Sequence, residues 1–363
     1  MTRVHNFNPG PAAIPLPVLE RAQREMLDFE GSGMSIMEHS HRGKVYEQVH
    51  ERALSLLGKL MSVPASHEIL LLTGGATQQF AQVPMNLRRP DQSADYIVGG
   101  VWGKKALKEA KHGGEARLAA TTELSDGRFL RVHRPDELEL DPKAAYLHYT
   151  SNNTVMGTQL REAPTPPAGV PLVCDMSSDI LARPLDVATH GVIYAGAQKN
   201  LGPSGVTVVI VRKDLIENGR KDIPFIFQYR TQAAERSLAN TCPTFAIYML
   251  RNVLEWLDEK GGAAWASQEA ERKAALLYGV LEERPDLYKL NIETASRSSM
   301  NVVWNMANPE LEAEFVKRST GAGLVGLKGH RIVGGLRASL YNAVSYESTS
   351  ALCEFLRSYN PGV

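Results

Sequence analysis

The 363-residue sequence has few cysteines, no excess of charge and no long apolar segment. The three cysteines are an odd number without a CxxC pair, which argues against a disulfide framework or a zinc knuckle and fits a reducing compartment. Forty lysines and arginines balance forty aspartates and glutamates, so a protein that coats nucleic acid or binds membranes through a polybasic surface is not expected. These absences predict a cytoplasmic protein.

Signals for targeting, membrane insertion and metal binding are also missing. The longest uncharged apolar stretch, residues 206–211, has the length of a strand and is far too short to span a bilayer. Prolines 9, 11, 15 and 17 interrupt any apolar core of a signal peptide. The histidines show no ligand spacing such as HExxH, so we expect no metal. The length predicts about two domains.

Short apolar runs alternate with helical patterns from residue 69 to residue 211, which indicates an α/β architecture. Several runs are almost continuously apolar, as expected for strands buried on both faces of a mostly parallel sheet. Strands are predicted at 69–72, 95–98, 146–148, 172–174, 192–195 and 206–211. Helices are predicted at 17–30, 46–60, 77–87, 102–111, 245–259, 263–283, 310–320 and 347–358. Further strands at 300–304 and 335–340 suggest a smaller α+β domain, so we predict a large domain over 16–262 and a small one from 1–15 and 263–363.

A lysine and an aspartate stand out in this pattern. Lys199 lies in a short loop between two predicted core strands, with glycine, alanine and proline around it. Asp175 ends a predicted strand, where ligands of open α/β sheets bind. Alone, Lys199 reads as a solvated loop lysine and Asp175 as a turn cap ahead of two serines. Together they match the needs of pyridoxal phosphate chemistry, in which a lysine forms a Schiff base and a carboxylate keeps the pyridine nitrogen protonated.

Three further segments could hold the phosphate and the ring of such a cofactor. A glycine pair precedes the helix that begins near Ala76 and Thr77, and a helix N-terminus binds phosphate well, although such a pair also marks ordinary turns. Trp102 follows a predicted strand, where its indole could lie on a ring or could simply belong to the core. Thr154 also follows a strand, and its hydroxyl could bind a ring substituent or cap a turn.

Two basic segments are candidates for binding an anionic substrate. His41 and Arg42 lie in a predicted loop, and residues 328–339 contain His330, Arg331 and Arg337. Arginine suits the bidentate recognition of carboxylate and phosphate. The usual alternative is a set of surface arginines with carboxylate partners.

At this point the chain resembles the phosphoserine aminotransferase family, whose members are fold-type I pyridoxal phosphate enzymes. The resemblance runs nearly end to end, and the segments AGAQKN and KGHR…GGLRAS are highly specific in combination. The matching segments lie at 7–15, 33–42, 73–80, 174–187, 194–212, 240–250 and 328–343.

The resemblance implies reversible transamination between L-glutamate and 3-phosphohydroxypyruvate, which gives 2-oxoglutarate and O-phospho-L-serine. It also implies that 3-hydroxy-2-oxo-4-phosphobutanoate, a compound of vitamin B6 synthesis, could be an alternative keto-acid substrate. It implies a homodimer with shared active sites.

Lys199 and Asp175 match the catalytic pair, and Arg337 matches the binder of the α-carboxylate. The implied cofactor site consists of Ala76, Thr77, Trp102, Thr154, Gln198 and, from the neighbouring subunit, Asn240 and Thr241. The implied site for the substrate phosphate and side-chain carboxylate consists of His330, Arg331 and, from the neighbouring subunit, His41 and Arg42.

Three positions depart from the family pattern. Some members carry arginine at the position of Thr77, an acidic residue is common at Asn153, and a proline is common at Cys242. None of these departures removes a catalytic group, but the first leaves recognition of the substrate phosphate to the other basic residues.

Two alternative functions can be weighed against this interpretation. Another fold-type I aminotransferase or a desulfurase-like lyase would share Lys199 and Asp175, but a desulfurase needs a mobile cysteine. Cys242 lies beside a proline and Cys353 lies in a helical pattern, which argues against it. A non-enzymatic regulator would carry a DNA-binding domain or lack the lysine, and neither holds here.

Overall fold

A seven-stranded mixed sheet forms the centre of the molecule. The computed structural model describes residues 3–331 and 333–362. In spatial order the strands are His67–Gly74, Gly205–Arg212, Val192–Gly196, Leu172–Asp175, Leu147–Thr150, Asp95–Val98 and Arg117–Thr121. Gly205–Arg212 is antiparallel to both of its neighbours, and the other adjacent pairs are parallel. The predicted mixed, mostly parallel sheet is confirmed.

Helices cover both faces of this sheet. Along Gly205–Arg212, Val208 and Ile210 pack into the core on one face, whereas Val209 and Val211 pack into the core on the other. Burial on both faces explains the continuous apolar run in the sequence. The α-helices of the described chain are Leu16–Arg24, Lys44–Leu60, Ala76–Leu87, Val101–His112, Lys213–Glu217, Tyr229–Ala234, Thr244–Lys260, Gly262–Glu283, Leu311–Gly321 and Tyr346–Ser358. Single 3-10 turns lie at Pro135–Glu137, Val187–Thr189, Phe225–Phe227 and Thr294–Ser296.

A second apolar core lies around a small antiparallel sheet in the C-terminal part. Its strands are Tyr288–Lys289, Asn301–Met306 and Leu336–Ser339. His5–Asn6 pairs in parallel with Leu324–Val325, and Phe7 packs into the same core. A short hairpin pairs Asn152–Asn153 with Thr158–Gln159. The N-terminal arm thus joins the C-terminal layer; the domain boundaries stay a prediction, and their ends at residues 1 and 363 lie outside the described residues.

Two local differences from the sequence-based prediction have physical reasons. The edge strand Arg117–Thr121 was not predicted, because its sequence RLAAT is short, contains one large apolar side chain and does not alternate apolar with polar residues. The first helix ends at Arg24 rather than at residue 30. The chain turns there so that Phe29 is buried, with its ring 5.7 Å from the ring of Tyr248.

We expect the second core to depend strongly on Phe315, which is fully buried and contacts the rings of Trp304 and Tyr359. Phe315→Ala should lower the free energy of unfolding of this layer by about 3–5 kcal/mol, because it leaves a large cavity. Urea unfolding followed by circular dichroism measures the change. Phe225→Ala, at a side chain that is 63% exposed, is the control and should change stability by only about 0.5 kcal/mol. Equal effects of the two substitutions would contradict this account.

Candidate active site

The candidate site lies at the carboxyl edge of the central sheet. Asp175 is the last residue of its strand, and the neighbouring parallel strand Val192–Gly196 leads into the turn that carries Lys199. His67–Gly74 runs in the same direction, so the helix that begins at Ala76 starts at this edge as well. The topology therefore places three predicted site segments on one edge, where ligands of open α/β sheets bind.

The amine of Lys199 lies at the centre of this group. It donates a hydrogen bond to Oγ1 of Thr154 at 2.6 Å and lies 5.7 Å from the centre of the Trp102 ring. Burial lowers the pKa of Lys199 to about 8; the negative charge of Asp175 opposes the shift, and the positive charge of Arg337 adds to it. A sizeable fraction of the amine is thus neutral near neutral pH, as a nucleophile or general base requires.

The Asp175 carboxylate is buried next to this amine. One of its oxygens, Oδ1, accepts hydrogen bonds from the backbone N–H of Ser177 at 3.0 Å and from the Ser177 hydroxyl at 2.6 Å. Burial raises the pKa of Asp175, and the charge of Lys199 and the bonds from Ser177 act against that shift. The turn-cap interpretation therefore holds for one oxygen, but the buried charge still favours a cation beside it.

The beginning of helix Ala76–Leu87 can receive an anion. Gly75 precedes the helix in an extended conformation, and in the described part of the chain no side chain caps it. Ala76 is buried, whereas Thr77 is exposed. The first N–H groups of a helix need acceptors, and the helix dipole favours a negative one. The Gln198 side chain lies close to Gly196 at the same edge, since a Cβ on Gly196 would meet it.

Trp102 is held at the start of helix Val101–His112 by a tight approach of two segments. A Cβ added to Gly100 would lie 2.8 Å from Cγ of Asn153, so the glycine allows Asn153 to pack there. The Asn153 amide donates to Oγ1 of Thr158 at 2.9 Å. Nε1 of Trp102 is buried and has no hydrogen-bond partner among the described residues. A buried polar group without a partner is costly, so this atom marks a place where a ligand can supply one.

Arg337 brings a positive charge to the same pocket. It is 5% exposed, its Nη1 donates to the carbonyl of Thr154 at 3.0 Å, and burial lowers its pKa. Its Nε is buried without a partner in the part of the chain that the structure describes. Burial lowers the pKa of His330, and the positive charges of Arg337 and Arg331 lower it further. A buried guanidinium without a carboxylate partner is suited to bind an anion.

The other four predicted residues stand apart from Lys199. In the described residues 3–331 and 333–362, no hydrogen bond or ion pair joins His41, Arg42, Asn240 or Thr241 to Lys199 or its polar neighbours; Arg42 N–H bonds to Ser40 and the Asn240 amide to Thr241 instead. Their two segments adjoin each other, since the Cys242 thiol donates to the Tyr46 hydroxyl at 2.9 Å. Nε2 of His41 is buried without a partner in the described chain, whereas Arg42, Asn240 and Thr241 are exposed. Their predicted role, across a subunit boundary, stays a prediction.

Sequence reasoning missed one polar side chain of the pocket. Tyr341 is fully buried, and hydrogen bonding to Thr154 and the charge of Arg337 both act on its hydroxyl. It lies in a matching segment, but an isolated tyrosine after a strand gives no signal in the sequence. The register that puts it four residues beyond Arg337, next to Thr154, is visible only in the fold.

These residues fit pyridoxal phosphate. The buried Asp175 suits a protonated ring nitrogen, the lowered pKa of Lys199 suits a lysine that condenses with an aldehyde, and the uncapped helix suits a phosphate. The described residues contain no group of three or more histidine, cysteine, aspartate or glutamate side chains that could hold a metal ion. Among them there is also no helix long and apolar enough to cross a membrane.

Comparisons with known proteins agree over almost the whole chain. The family model of class-V aminotransferases matches residues 4–352. The phosphoserine aminotransferase of Niallia circulans is 50% identical over 98% of both chains. The solved phosphoserine aminotransferase from Bacillus circulans subsp. alkalophilus is 50% identical, with a TM-score of 0.95 over 98% of this chain and 97% of that one.

A more distant structure shows the same similarity in a complex. The phosphoserine aminotransferase of Trichomonas vaginalis, solved with bound pyridoxal phosphate, is 36% identical, with a TM-score of 0.93 over 98% of this chain and 100% of that one. Identity and coverage of this extent are far above what a shared fold alone produces. The chain therefore belongs to the class-V aminotransferase family and, within it, to the phosphoserine aminotransferases.

Proposed function

We propose that the protein is a pyridoxal phosphate-dependent phosphoserine aminotransferase. It interconverts L-glutamate and 3-phosphohydroxypyruvate with 2-oxoglutarate and O-phospho-L-serine, as a step of serine biosynthesis. The observation that carries this proposal is the buried Lys199 amine, held by Thr154 between the charges of Asp175 and Arg337, in a chain half identical to enzymes of that name. We propose a cytoplasmic location, which the three unpaired cysteines support.

The cofactor would be held by residues from several elements of the carboxyl edge. Asp175 would face the ring nitrogen, Trp102 would lie along the ring, and Thr154 would bind its hydroxyl side. Ala76, Thr77 and Gln198 would bind the phosphate. When bound, pyridoxal phosphate supplies an aldehyde that condenses with amines and a ring that withdraws electrons from the Cα–H bond.

Lys199 is the residue that moves a proton. With its amine free and neutral, Nζ can take the proton from Cα of the amino acid. In the second half-reaction, it can give a proton back to Cα of the keto acid. Thr154 orients the amine by accepting its hydrogen bond. The Asp175 carboxylate favours a proton on the ring nitrogen, because burial makes its negative charge depend on a neighbouring cation.

Substrate binding would rest on the cationic side of the pocket. Arg337 would bind the α-carboxylate shared by all four substrates. His330 and Arg331 would bind the far anion, which is a carboxylate in glutamate and a phosphate in phosphoserine. Several separate donors can accept both shapes, whereas one tight pocket could not.

The four residues that stand apart support a homodimer. We propose that His41, Arg42, Asn240 and Thr241 reach the site of a second copy of the chain, the first pair toward the substrate anion and the second pair toward the cofactor phosphate. The buried His41 Nε2 without a partner in the described residues supports this proposal, because a subunit contact can satisfy it.

The first prediction concerns the half-reaction. The protein loaded with pyridoxal phosphate and given only O-phospho-L-serine should lose the visible absorbance of the cofactor and release one equivalent of 3-phosphohydroxypyruvate per site. Glutamate alone should release one equivalent of 2-oxoglutarate. Lys199→Ala, which should still bind the cofactor without a covalent bond, is the control and should release neither. Release from glutamate but not from phosphoserine would leave an aminotransferase with another substrate; full turnover by Lys199→Ala would refute the assignment.

The second prediction concerns the charges around Lys199 in the cofactor-free chain. Its pKa should be near 8, below the ordinary value of about 10.4. Asp175→Asn should lower it further, because the ammonium loses a stabilising negative charge, and Arg337→Gln should raise it, because a repelling positive charge is removed. Competitive labelling with acetic anhydride at a series of pH values, read by mass spectrometry of the Lys199 peptide, measures the midpoint. Shifts of the same sign would show that these charges do not act on the amine.

The third prediction concerns Arg337. Arg337→Ala should raise KM for glutamate, phosphoserine and both keto acids, by roughly tenfold or more, because a charge-assisted hydrogen bond contributes about 1.5–3 kcal/mol. Steady-state kinetics in both directions measures this effect. Arg161→Ala, at an exposed arginine paired with Glu271, is the matched control and should leave KM unchanged. An effect confined to one substrate would mean that Arg337 binds something other than the shared carboxylate.

A further inference from the structure

We propose that Tyr341 is a positioning residue for the Lys199 amine and that the buried Lys273 holds Tyr341 in place. Tyr341 and Lys273 lie beyond the residues assigned above to the cofactor and the substrates. The inference rests on the proposed function, because it concerns how that reaction's lysine is placed. The inference is supported by the contacts of the Tyr341 hydroxyl, of Gly10, of Asn342 and of Lys273.

Hydrogen bonds of the Tyr341 hydroxyl connect the pocket to the N-terminal arm. It donates to the carbonyl of Pro9 at 2.8 Å and accepts from the Asn301 amide at 3.3 Å. Burial raises the pKa of Tyr341 to about 12, while hydrogen bonding from Asn301 and Thr154 and the charge of Arg337 act in the other direction. The phenol therefore stays protonated at neutral pH, next to the Thr154 hydroxyl that accepts the bond from Lys199.

The Pro9 carbonyl matters because the next residue packs on Lys199. A Cβ at Gly10 would lie 3.3 Å from Cγ of Lys199, a tight contact, and the φ of +142° at Gly10 also favours glycine, so its backbone packs closely on the lysine chain. Ala12, two residues on, donates its N–H to the Gln198 carbonyl at 2.9 Å. By fixing Pro9, Tyr341 therefore limits the space in which the methylene groups of Lys199 can move.

The residue after Tyr341 holds the Lys199 turn from its other side. The backbone N–H of Asn342 donates to Oδ1 of Asn200 at 3.0 Å, and its amide donates to the carbonyl of Leu181 at 3.0 Å. The Asn200 amide in turn donates to the Ile180 carbonyl at 3.0 Å. Tyr341 thus fixes the arm that packs on the Lys199 side chain, and Asn342 fixes Asn200, the residue that follows Lys199.

Lys273 fixes the backbone of this segment. It is 1% exposed, and its ammonium donates to the carbonyls of Leu340 and Tyr341 at 2.9 Å and of Val344 at 2.7 Å. Three carbonyl acceptors satisfy all the donors of an ammonium, although burial lowers the pKa of Lys273 to about 7. Through Lys273, helix Gly262–Glu283 thus fixes the backbone of the segment that contains Tyr341 and Asn342.

The consequence is a geometric one. The Lys199 amine must reach both its own cofactor bond and the Cα proton of the substrate, so a displacement of about 1 Å can cost roughly 100-fold in rate. The partners of the Tyr341 hydroxyl are Pro9, Asn301 and Thr154. Tyr341 acts through Thr154, Pro9 and Gly10, and should therefore affect kcat more than KM.

The test compares two buried tyrosines that each donate to a backbone carbonyl. Tyr341→Phe removes the hydroxyl next to Thr154, and Tyr288→Phe removes the hydroxyl that donates to the Leu356 carbonyl at 2.8 Å in the second core. In the full-length holoenzyme, Tyr341→Phe should lower kcat by 10- to 100-fold with less than a threefold change in KM for glutamate. Tyr288→Phe should leave both unchanged. Equal kcat values in the two variants overturn the inference.

A second readout does not depend on activity. In the cofactor-free chain, Tyr341→Phe should raise the labelling midpoint of Lys199 above about 8, because a looser amine gains solvent and burial is the main cause of its lowered pKa. Tyr288→Phe should leave the midpoint in place. An unchanged midpoint in Tyr341→Phe contradicts the positioning role, whatever the activity.

A double-mutant cycle separates positioning from loss of structure. Because Tyr341 acts partly through Thr154, the fall in kcat of the double variant Tyr341→Phe/Thr154→Ala should be smaller than the product of the two single falls; a full product would show independent effects and overturn the inference. If Tyr341→Phe fails to fold, Lys273→Met, which frees the three carbonyls but keeps the phenol, must show the same fall in kcat and rise in midpoint. A wild-type protein that releases no keto acid from phosphoserine or glutamate would instead refute the proposed function.

Discussion

The balance of charge around one buried amine is the constraint on which the rest of the site depends. Burial lowers the pKa of Lys199, Asp175 partly restores it and Arg337 lowers it again, so the amine titrates near 8. The two partners act in opposite directions: without the carboxylate the pKa of the amine would fall further, and without the guanidinium it would rise. Reactive lysines need this intermediate state, because they must be neutral to attack or take a proton and charged to give it back.

That balance requires three strands to end at one level. Asp175 ends one parallel strand, Lys199 follows the next, and Thr154 follows the strand on the other side of Asp175. The antiparallel strand Gly205–Arg212 then returns the chain, so that His67–Gly74 again points toward the same edge and delivers an uncapped helix N-terminus there. Strand direction in the mixed sheet therefore brings a cation, an anion and an uncapped helix N-terminus to one edge.

The sequence could predict the sheet and the residues that end its strands, because apolar runs and the residues after them are local features. Lys199, Asp175, Thr154, Trp102 and Arg337 do meet in the structure. Arg117–Thr121 was missed because its five residues, RLAAT, include one large apolar side chain and show no periodic pattern. Tyr341 and Lys273 were missed for another reason: their roles come from contacts with residues 9 and 340–344, and no spacing in the sequence encodes them.

The N-terminal arm contacts both the C-terminal layer and the Lys199 side chain. Its residues pair with Leu324–Val325, bury Phe7 in the second core and place Gly10 against Lys199. The arm therefore connects the C-terminal layer, which carries Arg337 and His330, directly to the lysine of the central sheet. Two hydrogen bonds join the layers beside Lys199: the Tyr341 hydroxyl donates to the Pro9 carbonyl of the arm, and Arg337 donates to the carbonyl of Thr154, which follows a strand of the central sheet. The arm and the C-terminal layer therefore both restrict the space around the lysine.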